Sequence, residues 1–154
     1  MSKGQAVRNG QAALFERAIP EKSIRAAIKH RMEQLGIVVS ITDVSPVYVV
    51  ADGLPQFHSK VSEKGWPDLT GTLKPWGLSV YVETKAKGGR LSPTQTAMQA
   101  KLREAGAIVI TAESVDDFRG QFARELYFHY PSIAREFFQE KEMKNESTVT
   151  PIAK

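Results

Sequence analysis

The residues best suited to chemistry are Glu83 and Lys85, two apart in the run Leu78–Lys85 (LSVYVETK), with Asp68 in the segment before it. The alternation in this run predicts a strand with Val80 and Val82 on one face and Tyr81, Glu83 and Lys85 on the other. Glu83 and Lys85 therefore project together. Thr84 is expected to turn its side chain to the opposite face, away from any site those two build, while its backbone carbonyl lies between them. A strand pair crossing here brings Asp68 beside Glu83. Two carboxylates and a carbonyl make an all-oxygen donor set suited to Mg²⁺ or Mn²⁺, with water completing the octahedron. Such an ion polarises a phosphate oxygen and lowers the pKa of a bound water. A lysine on the same face can orient or deprotonate that water, or stabilise charge on the phosphorane oxygens. The set is complete for hydrolysing a phosphodiester. Taken alone, Glu-x-Lys is more often an exposed ion pair on a strand face, and Asp68 after Pro67 is an ordinary turn residue.

Charge along the chain supports a phosphate-bearing partner. The 154 residues carry a net charge of +4. Between Thr72 and Arg103 there are six basic residues (Lys74, Lys85, Lys87, Arg90, Lys101, Arg103) and one acid, Glu83. The rest of the chain holds 15 basic residues against 16 acids, so the excess sits around the candidate site. A local basic patch favours a polyanion, nucleic acid first; the plainer alternative is a solvated lysine-rich face. Lys74, Lys87 and Arg90 are the residues expected to meet DNA phosphates, the latter two flanking Gly88-Gly89. That glycine pair lacks P-loop spacing and reads as a tight turn. Trp66 and Trp76 could stack on an unpaired base but are expected to pack against the sheet. His30, His58 and His129 show no ligand spacing. There are no cysteines, which excludes disulfides and thiolate metal sites and fits a cytoplasmic setting. No apolar run is long enough for a membrane helix, and the N-terminal stretch lacks the apolar core of a secretory leader.

The elements that must position these residues follow from periodicity. A helix is expected over Gln11–Ala18 and another over Glu21–Leu35, where Ile24, Ile28, Met32 and Leu35 form one apolar face closed by Gly36. Ile37–Ile41 and Val47–Ala51 read as strands around a turn containing Asp43, Ser45 and Pro46. Asp52–Lys64 reads as a polar loop. A helix over Pro93–Ala105 opens on Ser92-Pro93-Thr94-Gln95, which fits a capping box. Ala107–Ala112 reads as a buried strand, and Ser114 opens a helix that Pro131 interrupts and that resumes to about Lys141. The fold class is α/β, a small mixed sheet flanked by helices. The 42% hydrophobic residues suffice for one core.

Taken in order, Gly65-Trp66-Pro67-Asp68-Leu69, Val82-Glu83-Thr84-Lys85, Gly89-Arg90-Leu91-Ser92 and Pro93-Thr94-Gln95 resemble the VRR-NUC family, virus-type replication-repair nucleases of the PD-(D/E)xK superfamily. The similarity runs from about Glu21 to Phe118, and its ordered motifs are far more specific than Glu-x-Lys alone. It implies a restriction-endonuclease-like core. It also implies Asp68, Glu83 and the Thr84 carbonyl as metal ligands, and Lys85 as the catalytic lysine. Gln95 corresponds to a glutamine that supports the site, beside its reading as a helix cap. Glu21, spaced from Gly36 as in the family, corresponds to a first-helix glutamate that completes or hydrogen-bonds the metal shell, a role for which Glu16 and Glu33 are rivals; as a first-turn acid Glu21 also suits the helix dipole. The family more often has an aliphatic residue where Thr84 stands.

The resemblance implies a Mg²⁺- or Mn²⁺-dependent DNA endonuclease leaving 5′-phosphate and 3′-hydroxyl ends. It implies a preference for branched DNA such as four-way junctions, forks or flaps, and a phage or mobile-element origin, hence the cytoplasm of a bacterial host. A homodimer through the C-terminal helical region is expected, since Tyr127, Phe128, Tyr130, Phe137 and Phe138 read as core or as a dimer surface. The alternatives are a DNA-binding module that keeps the fold without cutting, and an RNA nuclease. The expected organisation is an N-terminal extension (1–19), the nuclease domain (20–120), a C-terminal helical extension (121–141) and a flexible tail (142–154).

Overall fold

A computed structural model describes residues 19–42, 46–51, 54–59 and 63–146, with side chains for 19–42 and 63–142. The helix expected over Gln11–Ala18, the turn at 43–45, the side chain of His58 and residues 147–154 lie outside the described residues.

Helix α1 (Glu21–Gln34) buries Ile24, Ile28 and Met32, and its chain reverses at Gly36 into strand β1 (Ile37–Ile41). Strands β2 (Pro46–Ala51) and β3 (Leu54–Ser59) form an antiparallel two-stranded sheet of their own. Strand β4 (Leu69–Leu73) returns to pair with β1, and β5 (Leu78–Thr84) pairs with β4, both antiparallel. Helix α2 (Pro93–Glu104) then carries the chain to β6 (Ile108–Ala112), which lies parallel to β5. The four-stranded sheet has the order β1-β4-β5-β6. Helices α3 (Val115–His129) and α4 (Pro131–Glu146) complete the chain as described.

The sheet is covered on both faces. Val80, Val82, Ile108 and Ile110 pack with Ile28 and Met32 of α1, Phe118 and Phe122 of α3, and Phe137 of α4. On the other face Met98 and Leu102 of α2 pack with Val109, Trp66 and Tyr81. This double covering explains the nearly continuous apolar run of β6. Segment 121–141 shares that core, because Phe122, Leu126, Ala134 and Phe137 are all buried in it. Helix α4 continues past Lys141 to Glu146. Lys141 donates through Nζ to the Gln34 carbonyl at 2.9 Å, tying this end to α1. Both tryptophans pack: Trp66 meets Tyr81 edge-on and donates to Thr70, and Trp76 meets Phe137 and donates to Glu136. His30 and His129 lie beside helix neighbours on the surface.

Two strands depart from the expected order. Asp52–Lys64, read as a loop, contains β3, and Leu69–Leu73 (LTGTL) forms β4. Gly71 weakens the strand signal of β4, yet it is where α1 approaches the sheet. A Cβ there would meet Ile37 Cγ2 at 2.5 Å and Met32 Cε at 3.2 Å. Gly71→Ala is therefore expected to destabilise the fold by about 1–3 kcal/mol through overpacking. The measurement is the denaturation midpoint in urea; an unchanged midpoint would show that α1 can shift away from the strand freely.

Candidate active site

Asp68 immediately precedes β4, whose register pairs Leu69 with Val82. One step along the same register sets Asp68 opposite Glu83, as the sequence predicts. Its carboxylate extends the β4–β5 ladder past the last strand residue. Oδ2 accepts from the Thr84 backbone N–H at 2.8 Å and from the Thr84 hydroxyl at 2.7 Å. This corrects the expectation that the Thr84 side chain turns away from the site. Asp68 lies beyond the end of β4, where its carboxylate can meet both the amide in the sheet plane and the hydroxyl of a fully buried threonine. In an antiparallel pair a residue's N–H and C=O face the same neighbour, so the Thr84 carbonyl leaves the strand on the Asp68 side. The Asp68 carbonyl in turn accepts from Thr42 N–H at 2.8 Å, fixing the backbone of the aspartate itself.

Glu83 is 2% exposed. Its Oε1 receives Lys85 Nζ at 2.7 Å and Gln95 Nε2 at 2.5 Å. Gln95 plays both roles the sequence offered. Its Oε1 accepts from Ser92 N–H at 2.9 Å while Ser92 Oγ accepts from Gln95 N–H at 3.2 Å, closing the capping box. The opposite end of the same amide holds Glu83. Gly65 explains how the aspartate loop keeps step with this helix. With φ at +87°, a Cβ there would lie 2.4 Å from the Thr94 carbonyl oxygen, so loop and helix start touch backbone to backbone.

Each carboxylate thus has one oxygen held and one left open. Among the described residues, Glu83 Oε2 receives no hydrogen bond, and Asp68 Oδ1 has only Arg25 Nη1 at 3.7 Å. Burial pushes the Glu83 carboxyl above its ordinary value. The hydrogen bond and charge of Lys85 pull it down, and the charges of Asp68 and Glu21 push it up again. Glu21 occupies the first turn of α1, exposed, close enough to be felt electrostatically by Glu83. No three His, Cys, Asp or Glu side chains among the described residues stand close enough to cage an ion by themselves. The donor set fits a hard divalent cation that keeps several waters: two open carboxylate oxygens, a strand-end carbonyl, and acids whose mutual repulsion a cation relieves.

The turn after the site closes with Gly89 N–H donating to the Ala86 carbonyl at 2.8 Å, and Gly88 N–H donates to Glu113 at 3.0 Å. Lys87 and Arg90 are exposed on this turn, next in sequence to Lys85. Lys74 is not brought to them. It lies in the turn joining β4 to β5, and the five steps along the strand from Leu78 to Glu83 alone span roughly 17 Å. Sequence reasoning missed three contributors. Arg25 faces Asp68. Thr84 clamps it through its hydroxyl. Gln99 donates to Thr111 Oγ1 at 2.8 Å, and Thr111 is the register partner of Glu83 on β6. Gln95 and Gln99, one turn apart on a helix face that also carries Met98 and Leu102, were the available signal for the last of these.

A helix-flanked mixed sheet with an acid, then acid-x-lysine, at the end of one strand pair defines a nuclease-type domain with a restriction-endonuclease-like core. Residues 19–116 match the VRR-NUC domain, well over half the chain, and the chain belongs to the VRR-NUC family. A solved structure of a VRR_NUC domain is similar at 25% identity and a TM-score of 0.44, covering 71% of this chain and 96% of that one. No curated protein matches the chain.

The raised Glu83 pKa has a signed consequence in metal-free buffer. A group whose folded-state pKa is raised contributes stability below its unfolded value and loses it as pH rises through the folded one. Glu83→Gln lacks that loss. In EDTA, the melting temperature of the variant relative to the parent is expected to climb from about pH 4 to pH 8. A difference that falls with pH would mean that pairing with Lys85 outweighs burial.

Proposed function

We propose that the chain is a divalent-metal-dependent DNA endonuclease that hydrolyses phosphodiester bonds at Asp68, Glu83 and Lys85, with Mg²⁺ or Mn²⁺ as cofactor. One observation carries this reading: two carboxylates at the end of one strand pair each have one oxygen held by the protein and one left open. Asp68, Glu83 and the Thr84 carbonyl would hold the ion, with Glu21 alongside. A cation bound there supplies Lewis-acid charge stabilisation and an acidified water.

The chain's own groups supply the rest. Lys85, 13% exposed and seated on Glu83, places a positive charge beside the reacting phosphate and orients the attacking water. Gln95 and Thr84 hold the two carboxylates so that their open oxygens need no rearrangement. Lys87 and Arg90 carry positive charge on the adjoining turn, where a DNA backbone can be received.

The same proposal extends to a branched DNA substrate and a phage or mobile-element origin, both supported by membership of the family. It extends also to a homodimer that brings two sites to two strands. Phe128 is 80% exposed and Tyr127 51% exposed on α3, a fit for contact with a second copy. No helix among the described residues is long and apolar enough to cross a membrane.

The test incubates labelled linear, nicked, flapped and four-way DNA, and RNA, with Mg²⁺, Mn²⁺ or EDTA. Metal-dependent DNA cleavage is expected, abolished by EDTA and lowered at least about 10²-fold by Lys85→Ala. Asp68→Asn is expected to lower it similarly. Cleavage surviving EDTA or the lysine change would sink the mechanism. Binding without cleavage under any metal would favour the non-cutting module, and cleavage of RNA alone would favour the ribonuclease. A monomer by sedimentation at micromolar concentration would remove the dimer.

A further inference from the structure

Asp68 is held on two sides, and the two holds differ. On one side Thr84 grips Oδ2 with two short bonds. On the other, Arg25 of α1 faces Oδ1 through a single contact at 3.7 Å, with the two side chains 30% and 22% exposed. That separation is beyond hydrogen-bond length. It also lacks the paired fork an arginine makes when committed to a carboxylate. No other described residue bonds the Arg25 guanidinium, so most of its donors are unused. Lys85 is the contrast, at 2.7 Å from its glutamate and largely enclosed. Arg25 lies one helical turn beyond Glu21, on a helix that Ile24, Ile28 and Met32 fix to the sheet.

We propose that Arg25 is a phosphate-binding residue of this site. In the cation-free protein it rests on Asp68 Oδ1 as counter-ion to the Asp68, Glu83 and Glu21 charges. With a divalent cation held by Asp68 and Glu83, like-charge repulsion would turn the guanidinium to the DNA backbone phosphate at the cleavage point. The inference rests on the nuclease reading above. Its physical basis is that the cation and Arg25 seek the same oxygen, whereas the cation and the phosphate do not compete for Arg25. A guanidinium matches phosphate bidentately where an ammonium offers only a point charge. Arg25 and metal therefore oppose each other in the absence of DNA and cooperate in its presence. A residue that merely propped up Asp68 would help metal binding in both conditions.

The experiment compares the full chain with Arg25→Ala and Arg25→Lys. Alanine favours the helix and the position is partly open, so folding is retained. Three quantities are read: Mn²⁺ binding by calorimetry without DNA, binding of a four-way DNA junction in Ca²⁺ across a salt series, and kcat and KM for cleavage in Mn²⁺. For Arg25→Ala, Mn²⁺ affinity is expected to hold or rise a few-fold, while DNA affinity falls about tenfold. The slope of log affinity against log salt is expected to shrink by about one. Arg25→Lys is expected to restore the slope but not the full affinity, with KM still raised.

Loss of Mn²⁺ affinity in Arg25→Ala would assign the residue to positioning Asp68 and overturn the proposal. An unchanged DNA affinity and salt slope would overturn it equally. Parent protein that binds Mn²⁺ and DNA without cutting would refute the nuclease reading alone, because the two binding measurements still decide the role of Arg25. Parent protein that binds neither would overturn both.

Discussion

The burial of an ionisable carboxyl, Glu83, is the constraint on which the rest of the site depends. A carboxylate removed from water is expensive unless it is paired and hydrogen-bonded. Glu83 is 2% exposed at the end of a central strand, with Asp68 and Glu21 close enough to oppose its ionisation. Lys85 and Gln95 offset that opposition by converging on one oxygen. The other oxygen receives no hydrogen bond from the described residues, and burial together with the neighbouring acids holds the carboxyl above its ordinary value. The buried acid is thus a cost that the surrounding fold must absorb.

That absorption is visible in how densely the neighbourhood is hydrogen-bonded and packed. Helix α2 is capped by Ser92 and Gln95, anchored by Gln99 to Thr111, and closed by Arg103, which donates to the Val109 carbonyl at 3.0 Å. The aspartate loop touches the start of α2 at Gly65, and the Asp68 backbone is bonded to Thr42. Since Gln95 both caps α2 and holds Glu83, the orientation of the glutamate depends on the same hydrogen bonds that start the helix. A site built on a strand end and a helix start, rather than on a long loop, keeps its donors within the tolerance that chemistry requires.

Much of this was legible in the sequence because it depends on local rules. Strand alternation placed Glu83 with Lys85, and Ser-Pro-Thr-Gln specified the cap of α2. The spacing of Ile24, Ile28 and Met32 identified the buried face of α1. What escaped depends on contacts between segments distant in sequence. Strand β4 carries a glycine in its middle and only five residues, so propensity is silent; its existence follows from pairing with β1 and β5. Thr84 was read by parity along a strand, but at a strand end the neighbour is a turn residue that parity does not govern. Arg25 is one of several charged residues on α1, and nothing local distinguishes it. The packing of Ile24, Ile28 and Met32 of α1 into the core sets it at Asp68. The excess of positive charge near the motif was real along the chain, yet Lys74 shows that proximity in sequence across a hairpin can mean opposite ends of a strand in space.

Charge placement then decides what kind of substrate the site can accept. Asp68 and Glu83 meet at the end of β5, with Glu21 close enough to act on Glu83 electrostatically, and an unscreened phosphodiester would be repelled there. The cations at the site and on the turn that follows it are of two kinds. Lys85 is enclosed and committed to Glu83, whereas Arg25, Lys87 and Arg90 lie at the margin, loosely held or exposed. On the proposed nuclease reading, a polyanion would meet the marginal positive charge first and the acidic centre only with a cation held there. On that reading metal and DNA would reinforce each other's binding, because each offsets a charge that opposes the other. Substrate admission would then depend on metal occupancy, with the Arg25 side chain as the moving part.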